Sequence, residues 1–144
     1  QVVASEEGFT AALFGPAPAV HALVVEGVPD EPLVAFAVYF VNFSTWLGKH
    51  GIYLEDLFVR PEHRGAGHGL ALLRAVGAIA RERGCGRVEW NVLDWNAPAI
   101  DFYKAVGATP LVTMKLSGIN GKTLDADDVV GFAVEGPDGC LCRA

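Results

Sequence analysis

The hydrophobic pattern in the first part of the chain predicts three β-strands. Residues 21–26 and the apolar run at 33–43 have the composition of strands, and an acidic, proline-flanked turn between them makes the pair a hairpin. A third strand is predicted at 52–59, where the charged pair Glu55 and Asp56 interrupts the apolar residues. The following proline ends this strand because it cannot donate to a ladder.

The strongest helical pattern lies at residues 69–83. Its apolar side chains recur at spacings of three and four residues, which is the period of one helix face. They are Leu70, Leu73, Val76 and Ala80, with Leu72 and Ile79 widening the stripe. Gly84 then gives a stop signal, and the alternation at 87–93 predicts another strand.

A second helix and further strands are indicated downstream. Asn96 can cap this helix, Pro98 suits its first turn and Gly107 ends it. A strand is predicted at 111–116, and residues 129–134 are also strand-like, followed by a turn signal. The order of elements predicts an α/β domain in which antiparallel strands precede a βαβ crossover.

The length and composition are those of a single domain, residues 1–144. No run of roughly 18 apolar residues is present, so a membrane span is not predicted. No secretory signal is visible from Gln1 onward, and the three cysteines fit a reducing compartment. We therefore expect a cytoplasmic protein with no membrane partner.

The charge balance narrows the choice of partner. The formal net charge is -6 at pH 7 with His neutral. Nucleic-acid binding needs a basic surface for phosphate contacts, so no nucleic-acid partner is expected. An acidic protein is better suited to a cationic substrate.

A glycine-rich turn at 64–69 joins the third strand to the first helix. Backbone N–H groups at a helix start attract an anion, and the helix dipole adds roughly 0.3 to 1 kcal/mol, so this turn could bind a pyrophosphate. A Walker loop would need Gly-Lys-Ser/Thr, and a dinucleotide fingerprint would need glycine where Leu70 stands. A tight turn that binds nothing stays open as the alternative.

Four segments together resemble the GNAT superfamily of N-acetyltransferases. Residues 64–69, with the sequence RGAGHG, match its pattern Arg/Gln-x-x-Gly-x-Gly/Ala. The segments WLGK at 46–49, YLEDLFV at 53–59 and WNAPAIDFYK at 95–104 are similar to the spermidine/spermine (diamine/thialysine) acetyltransferase subfamily. The likeness covers about residues 2–108.

This resemblance implies a fold and an activity. The GNAT fold is an α/β (α+β) domain, in which a mixed, mostly antiparallel central sheet has flanking helices and a βαβ crossover that binds acetyl-CoA. The implied reaction moves an acetyl group from acetyl-CoA to the primary amine of a small molecule (a polyamine, diamine or lysine analogue) by direct attack in a ternary complex. The resemblance also implies a homodimer, and we predict no metal.

The amine must lose a proton before it can attack. An aliphatic amine has a pKa near 10.4, so reaching its neutral form at pH 7 costs roughly 4 to 5 kcal/mol. The resemblance implies that Glu55 acts as the base through water, that Asp56 binds the substrate cation and that Trp46 walls the amine site. Adjacent strand residues point to opposite faces unless a bulge intervenes, and a solvated acidic pair on an edge strand is the alternative.

The resemblance also assigns the cofactor site. The strand residues, whose backbone would follow the pantetheine arm, are Leu57, Phe58 and Val59, with the Val59 N–H near the thioester carbonyl. The pyrophosphate turn is Arg64, Gly65, Ala66, Gly67, His68, Gly69 and Leu70. The residues at the second helix are Asn96, Pro98, Ala99 and Tyr103.

Tyr103 has two possible roles. The resemblance implies that it is the acid that protonates the departing thiolate. From the residues alone, the role as a core aromatic on the helix stripe with Ile100 and Val106 is favoured over catalysis.

The chain also departs from the subfamily. The N-terminal strand and helix of most GNAT proteins have no evident equivalent, so both are expected to be absent. Ser44 stands where polyamine enzymes carry an acidic residue, which makes a short amine as plausible as spermidine. A protein lysine or N-terminal acetyltransferase and a non-catalytic acyl-CoA-binding module are the alternative functions.

Overall fold

The computed structural model describes residues 3–29, 32–114 and 129–134, and these form one six-stranded mixed sheet with flanking helices. In chain order the elements are α1 (Glu6–Phe14), β1 (His21–Val25), β2 (Ala35–Ser44), β3 (Lys49–Val59), a 3-10 helix (Pro61–His63), α2 (His68–Glu82), β4 (Val88–Leu93), α3 (Ala97–Ala105), β5 (Thr109–Met114) and β6 (Val129–Val134). No helix among these residues is long and apolar enough to span a bilayer.

The strand order in the sheet is β1-β2-β3-β4-β6-β5. The β3–β4 pair is parallel and is connected by α2, whereas the other four neighbouring pairs are antiparallel. The predicted hairpin and the predicted crossover are both confirmed, as is the mostly antiparallel sheet. Two residues of the predicted hairpin turn, 30 and 31, lie outside the described residues.

The two predicted helices are confirmed. The face of α2 that packs on the sheet contains Leu72, Leu73, Val76 and Ala80, all buried. The N-terminus of α3 is capped as predicted, since Asn96 Oδ1 accepts a hydrogen bond from the Ala99 N–H at 3.4 Å. Gly107 follows α3 with φ +86, a left-handed conformation that favours glycine.

The core lies on the face of the sheet that α2 and α3 cover. Its largest fully buried side chains are Trp90, Phe132, Ile52, Leu54, Val76 and Val88. Phe132 comes from β6, so the strand-like segment 129–134, whose role the sequence left open, lies between β4 and β5 in the sheet. The predicted turn after it, at 136–139, lies outside the described residues.

Helix α1 was not predicted, and its presence corrects the expectation that no N-terminal helix exists. Ser5 caps it, because its Oγ accepts a hydrogen bond from the Gly8 N–H at 3.1 Å, and Glu6 and Glu7 occupy the first turn. None of its residues is buried, and Phe14 is 79% exposed. Without an apolar stripe, the cap and the two acidic residues were the only signals in the sequence.

Candidate active site

A β-bulge in β3 positions the two predicted carboxylates. Val38 pairs with Asp56 and Tyr39 pairs with Leu54, so Glu55 has no partner residue in β2. The extra residue changes the alternation of side chains, and both Leu54 and Leu57 therefore pack toward the core. Glu55 and Asp56 are both exposed. The bulge named as the exception in the sequence analysis is present, and it puts both carboxylates on the face opposite the core.

Strands β3 and β4 separate just before this bulge. Ile52 pairs with Val88 and Tyr53 pairs with Glu89, and these are the two parallel pairs formed between the described strands. The sheet therefore has a gap from Leu54 onward, which lies between the second half of β3 and the second half of β4.

The backbone of β3 faces this gap with unused polar groups. The Arg60 N–H donates to the Val34 carbonyl at 3.0 Å, so the alternation of an antiparallel ladder directs the N–H groups of Val59 and Leu57 away from β2. The Val59 carbonyl is on the same side, where it accepts a hydrogen bond from Arg64 Nε at 3.1 Å. The N–H groups of Leu57 and Val59 face the gap, where an extended ligand would complete their hydrogen bonding.

The glycine-rich turn has the backbone conformation that an anion site needs. Gly65 has φ +81 and Gly67 has φ +88, both in the left-handed region. Gly67 precedes the first residue of α2 and makes no side-chain cap. The N–H groups of the first turn, from His68 onward, are therefore not bonded to a capping side chain and can donate to a ligand. The turn therefore presents several N–H donors at a helix N-terminus.

Gly69 marks the point where three elements meet. A Cβ atom on Gly69 would lie 3.6 Å from the side chain of Val59 and 3.6 Å from that of Phe102. The end of β3, the start of α2 and the body of α3 are thus adjacent. Predicted cofactor residues from these three elements are therefore close together at the end of β3.

Tyr103, the next residue after Phe102 in α3, is buried, at 8% exposure. Its ring packs on Trp90, with centroids 4.8 Å apart, and on Phe132 at 5.5 Å. Burial raises the pKa of the Tyr103 phenol to about 12. Its hydroxyl is therefore protonated throughout the physiological range, as an acid must be, and its ring is also a core aromatic as the alternative role requires.

The other predicted cofactor residues line the same region with different exposures. Arg64, Ala66 and Pro98 are exposed, whereas Leu70 and Ala99 are half-buried. Phe58 is 41% exposed and packs on Phe36, with ring centroids 5.5 Å apart. The ring centroids of His63 and His68, at the two ends of the glycine-rich turn, are 6.4 Å apart. Within the described ranges no group of three or more His, Cys, Asp and Glu residues could hold a metal.

Trp46 is not brought to the site. It lies in the turn between β2 and β3 and is 94% exposed. Lys49 and Glu55 are separated by six residues of strand, which is about 20 Å at roughly 3.3 Å per residue. The turn that contains Trp46 therefore lies at the opposite end of β3 from the predicted cofactor residues Leu57, Phe58 and Val59.

Three residues that the sequence analysis did not assign to the site, Phe40, Tyr53 and Glu89, lie near the bulge on the face opposite the core. We call this face, defined by these three residues, the outer face. Tyr53 stacks on Phe40 with ring centroids 5.1 Å apart. Burial, followed by the negative charges of Glu55 and Glu89, raises the pKa of the Tyr53 phenol. The sequence feature that could have identified Tyr53 is the alternation of side chains along β3, which puts Tyr53 on the side opposite Ile52 and Leu54.

These features fit a coenzyme A thioester. The gap exposes strand N–H groups for an extended amide arm, and the glycine turn supplies donors for a pyrophosphate. Such an arrangement beside a carboxylate is that of an acyltransferase. Residues 4–108 match the acetyltransferase (GNAT) family, and the chain belongs to it. The family resemblance seen in the sequence is confirmed.

Several curated relatives are named as thialysine or ornithine acetyltransferases. A thialysine N-epsilon-acetyltransferase of Bos taurus is 44% identical over 117 residues, which cover 77% of this chain and 68% of the relative. The L-ornithine N5-acetyltransferase NATA1 of Arabidopsis thaliana is 41% identical over 99 residues, which cover 69% of this chain and 43% of the relative. The family and these relatives make the chain an acyltransferase.

Solved structures support the same fold. The crystal structure of nourseothricin acetyltransferase aligns with a TM-score of 0.63 and 32% identity, covering 81% of this chain and 65% of that one. Arabidopsis thaliana NAA60, in complex with a bisubstrate analogue, aligns with a TM-score of 0.71 and 20% identity over 92% of this chain and 83% of that one. The predicted fold class is confirmed.

Proposed function

We propose that this protein transfers the acetyl group of acetyl-CoA to the primary amine of a small molecule, by direct attack in a ternary complex. The observation that carries the proposal is the bulge at Glu55, which puts a carboxylate beside the gap between β3 and β4. Bound acetyl-CoA supplies an activated acyl group. The relatives named for thialysine and ornithine acetylation favour a lysine analogue or a diamine as acceptor.

Glu55 is the proposed general base. It is exposed at a bulge, where its carboxylate can reach the amine directly or through one water. Asp56 is on the same face and adds a second negative charge that favours the cationic form of the incoming amine. In this proposal, Asp56 binds the ammonium group and Glu55 removes its proton.

The chain's backbone holds the acyl donor. Val59 donates its N–H toward the thioester oxygen, where negative charge develops during attack, and such a donor contributes roughly 3 to 4 kcal/mol of transition-state stabilisation. Leu57 and Phe58 extend this edge along the pantetheine arm. Residues 64–70 bind the pyrophosphate. The Oδ1 atom of Asn96 caps α3, so its Nδ2 donors are left to bind the cofactor arm. Pro98 and Ala99 pack beside this arm.

Tyr103 is the proposed acid for the leaving thiolate. A thiol has a pKa near about 8.5, whereas burial raises the pKa of Tyr103 to about 12. The phenol therefore stabilises the departing sulfur first as a hydrogen-bond donor. Proton transfer becomes favourable only as negative charge accumulates on the sulfur and the bound substrates change the surroundings of the hydroxyl.

We also propose that the protein acts in the cytoplasm as a homodimer, without a metal, a membrane or a nucleic acid. The acidic charge of -6 supports the last point. Size measurement in solution, at concentrations on either side of the micromolar range, tests the dimer.

Thiol release from acetyl-CoA tests the function directly. The acceptors are spermidine, 1,4-diaminobutane, lysine, ornithine and thialysine, and the comparison is with Glu55→Gln. Amine-dependent release that falls in the variant supports the proposal. Binding of acetyl-CoA without release for any of these amines would overturn it, and peptides with free lysine or N-terminal amines would then be the acceptors to try.

A further inference from the structure

A polar cluster on the outer face crosses strand β3 just before the gap begins. Glu89 accepts hydrogen bonds at Oε1 from Arg87 Nη2 at 3.0 Å and from Asn42 Nδ2 at 2.5 Å. Arg87 Nη1 also donates to Ser44 Oγ at 3.2 Å. We call these four residues the Arg87–Glu89 cluster. It joins the second half of β2 to the start of β4 over the intervening strand β3.

Gly51 makes room for the cluster. A Cβ atom on this residue would lie 2.6 Å from Asn42 Oδ1 and 3.2 Å from Arg87 Cγ. Because Gly51 has no side chain, side chains from the two sides of β3 can meet above it. An alanine at this position would push Asn42 aside without changing any charge.

The carboxylate of Glu89 fixes the arrangement of the cluster. It takes two donors at Oε1, and its Oε2 lies 2.9 Å from Arg87 Nε, which is an ion-pair distance. The side chains of this ion pair are only 25% and 19% exposed, so salt and water screen it little. The buried atom Asn42 Oδ1 has no hydrogen-bond partner among the described residues, and turning the amide over would set this oxygen against the carboxylate. Glu89 therefore determines how Asn42 is oriented.

The cluster lies where the two halves of the sheet are joined by the fewest residue pairs. Among the described strands, β3 forms ten residue pairs with β2 but only two with β4. The second of these two pairs joins Tyr53 to Glu89. Glu89 is thus the last residue of β4 that is paired with β3, directly before the gap.

Two features set the start of the gap from opposite sides. The extra residue at Glu55 interrupts the spacing that a longer β3–β4 ladder would need. The cluster keeps the last pair from opening, because it ties the side chain of Glu89 to β2. Leu57, whose N–H faces the gap, is four residues past Tyr53, about 13 Å at roughly 3.3 Å per residue. A small change in the angle between the strands at Tyr53 therefore becomes a larger displacement at this N–H.

We propose that Glu89 is a positioning residue for acyl transfer, which holds β3 and β4 at a fixed separation and so keeps the edge of β3 preformed for the acyl donor. It acts through Asn42 and Arg87 and contacts neither substrate. Because the edge is preformed, less conformational freedom is lost when acetyl-CoA binds. This assignment rests on the proposed function of the site.

Two variants weaken the cluster by independent means. Asn42→Asp is nearly isosteric, but it replaces the donor with a carboxylate that repels Glu89, whereas Gly51→Ala displaces Asn42 with all charges in place. In both variants the Kd for acetyl-CoA, measured by calorimetric titration, is expected to rise about tenfold. With saturating acetyl-CoA, the KM for the amine is expected to change less than about threefold. Glu89→Gln, which leaves Arg87 without its ion pair, replaces Gly51→Ala if that variant does not fold.

An exchange variant tests whether the contact itself is responsible. Asn42→Asp combined with Glu89→Gln swaps the amide and the carboxylate and keeps the net charge. Arg87 borders both positions, so the hydrogen bonds and the ion pair can form again. The Kd for acetyl-CoA is expected to return to within about threefold of the parent value.

Val76→Ala controls for a general loss of stability. Val76 is fully buried in α2, on the opposite face of the sheet from the cluster. Its truncation should lower the free energy of unfolding, measured with urea, because it leaves a cavity in the core. The Kd for acetyl-CoA is expected to stay at the parent value in this variant.

The outcomes are distinct. A Kd for acetyl-CoA within about twofold of the parent value in the folded cluster variants would overturn this inference and leave the acetyltransferase proposal in place. An equal rise in Val76→Ala, or no recovery in the exchange variant, would do the same. Failure of the parent protein to bind acetyl-CoA would instead overturn the proposed function itself.

Discussion

The ring of Tyr103 packs against the ring of Trp90, with centroids 4.8 Å apart and planes tilted by 47°. This contact makes α3 part of the core and fixes the direction of the phenol, since a packed ring has little freedom to rotate. The core face of the sheet therefore positions the proposed acid, whereas the opposite face bears the proposed base at Glu55.

Replacing Tyr103 with Phe tests the acid. The ring packing is preserved, so kcat is expected to fall about 100-fold, within the range for general acid catalysis, with little change in the KM for either substrate. Tyr39→Phe removes a hydroxyl from another buried tyrosine, 4% exposed, and is the matched control. Equal activity of Tyr103→Phe and the parent protein would assign Tyr103 to the core alone.

The raised pKa of Tyr103 also makes a prediction about stability. The unfolded phenol ionises near 10 and the folded one at about 12, so the folded state loses stability as the pH rises from about 10 to about 12. The loss attributable to this group is about 3 kcal/mol at most. Urea unfolding at pH 9 and pH 11.5 measures it, and Tyr103→Phe should show a smaller loss. A loss of the same size in the variant would contradict the assignment.

The fold was largely predictable because its elements carry local signals. The stripe of α2 and the Asn96 cap of α3 placed both helices within one or two residues. Helix α1 could not be predicted, because none of its residues is buried and its composition shows no apolar stripe. A helix that does not contribute to the core leaves little trace in hydrophobic periodicity.

The site was predictable only in part, because its geometry depends on strand pairing. The adjacent carboxylates were visible in the sequence, but whether they share a face depends on the register between Tyr39 and Leu54. The contacts of Asn42 and Arg87 with Glu89 depend on side chains that meet across Gly51, a relationship between three strands that no local pattern encodes. The place of Trp46 also depends on the fold, since the motif suggested a wall of the amine site and the residue lies in the exposed turn between β2 and β3.

Glu55→Gln tests the base by its pH dependence. Without the carboxylate, the amine must lose its proton to solvent, at a cost of roughly 4 to 5 kcal/mol at pH 7. The variant is therefore expected to lose at least about 100-fold in kcat/KM at neutral pH and to recover much of it near pH 10, where the free amine is abundant. A pH–rate profile with saturating acetyl-CoA measures this, with Glu82→Gln as control. A deficit that stays constant across the pH range would show that Glu55 has a role other than proton removal.

The glycine turn can be tested against a glycine that shares its backbone conformation but not its proposed role. Gly67 has φ +88 and Gly84, which follows α2, has φ +65, and a Cβ atom added to either residue would meet nothing within 4 Å. Alanine at either position is expected to lower the free energy of unfolding by about 1 kcal/mol, because both leave a left-handed residue strained. Only Gly67→Ala should also raise the Kd for acetyl-CoA, by about tenfold, since a methyl group and a shifted backbone disturb the N–H donors at the start of α2. Calorimetric titration with the cofactor, beside urea unfolding of both variants, separates the two effects. Parallel losses of affinity in Gly67→Ala and Gly84→Ala would mean that the turn serves folding, and that the pyrophosphate is bound elsewhere.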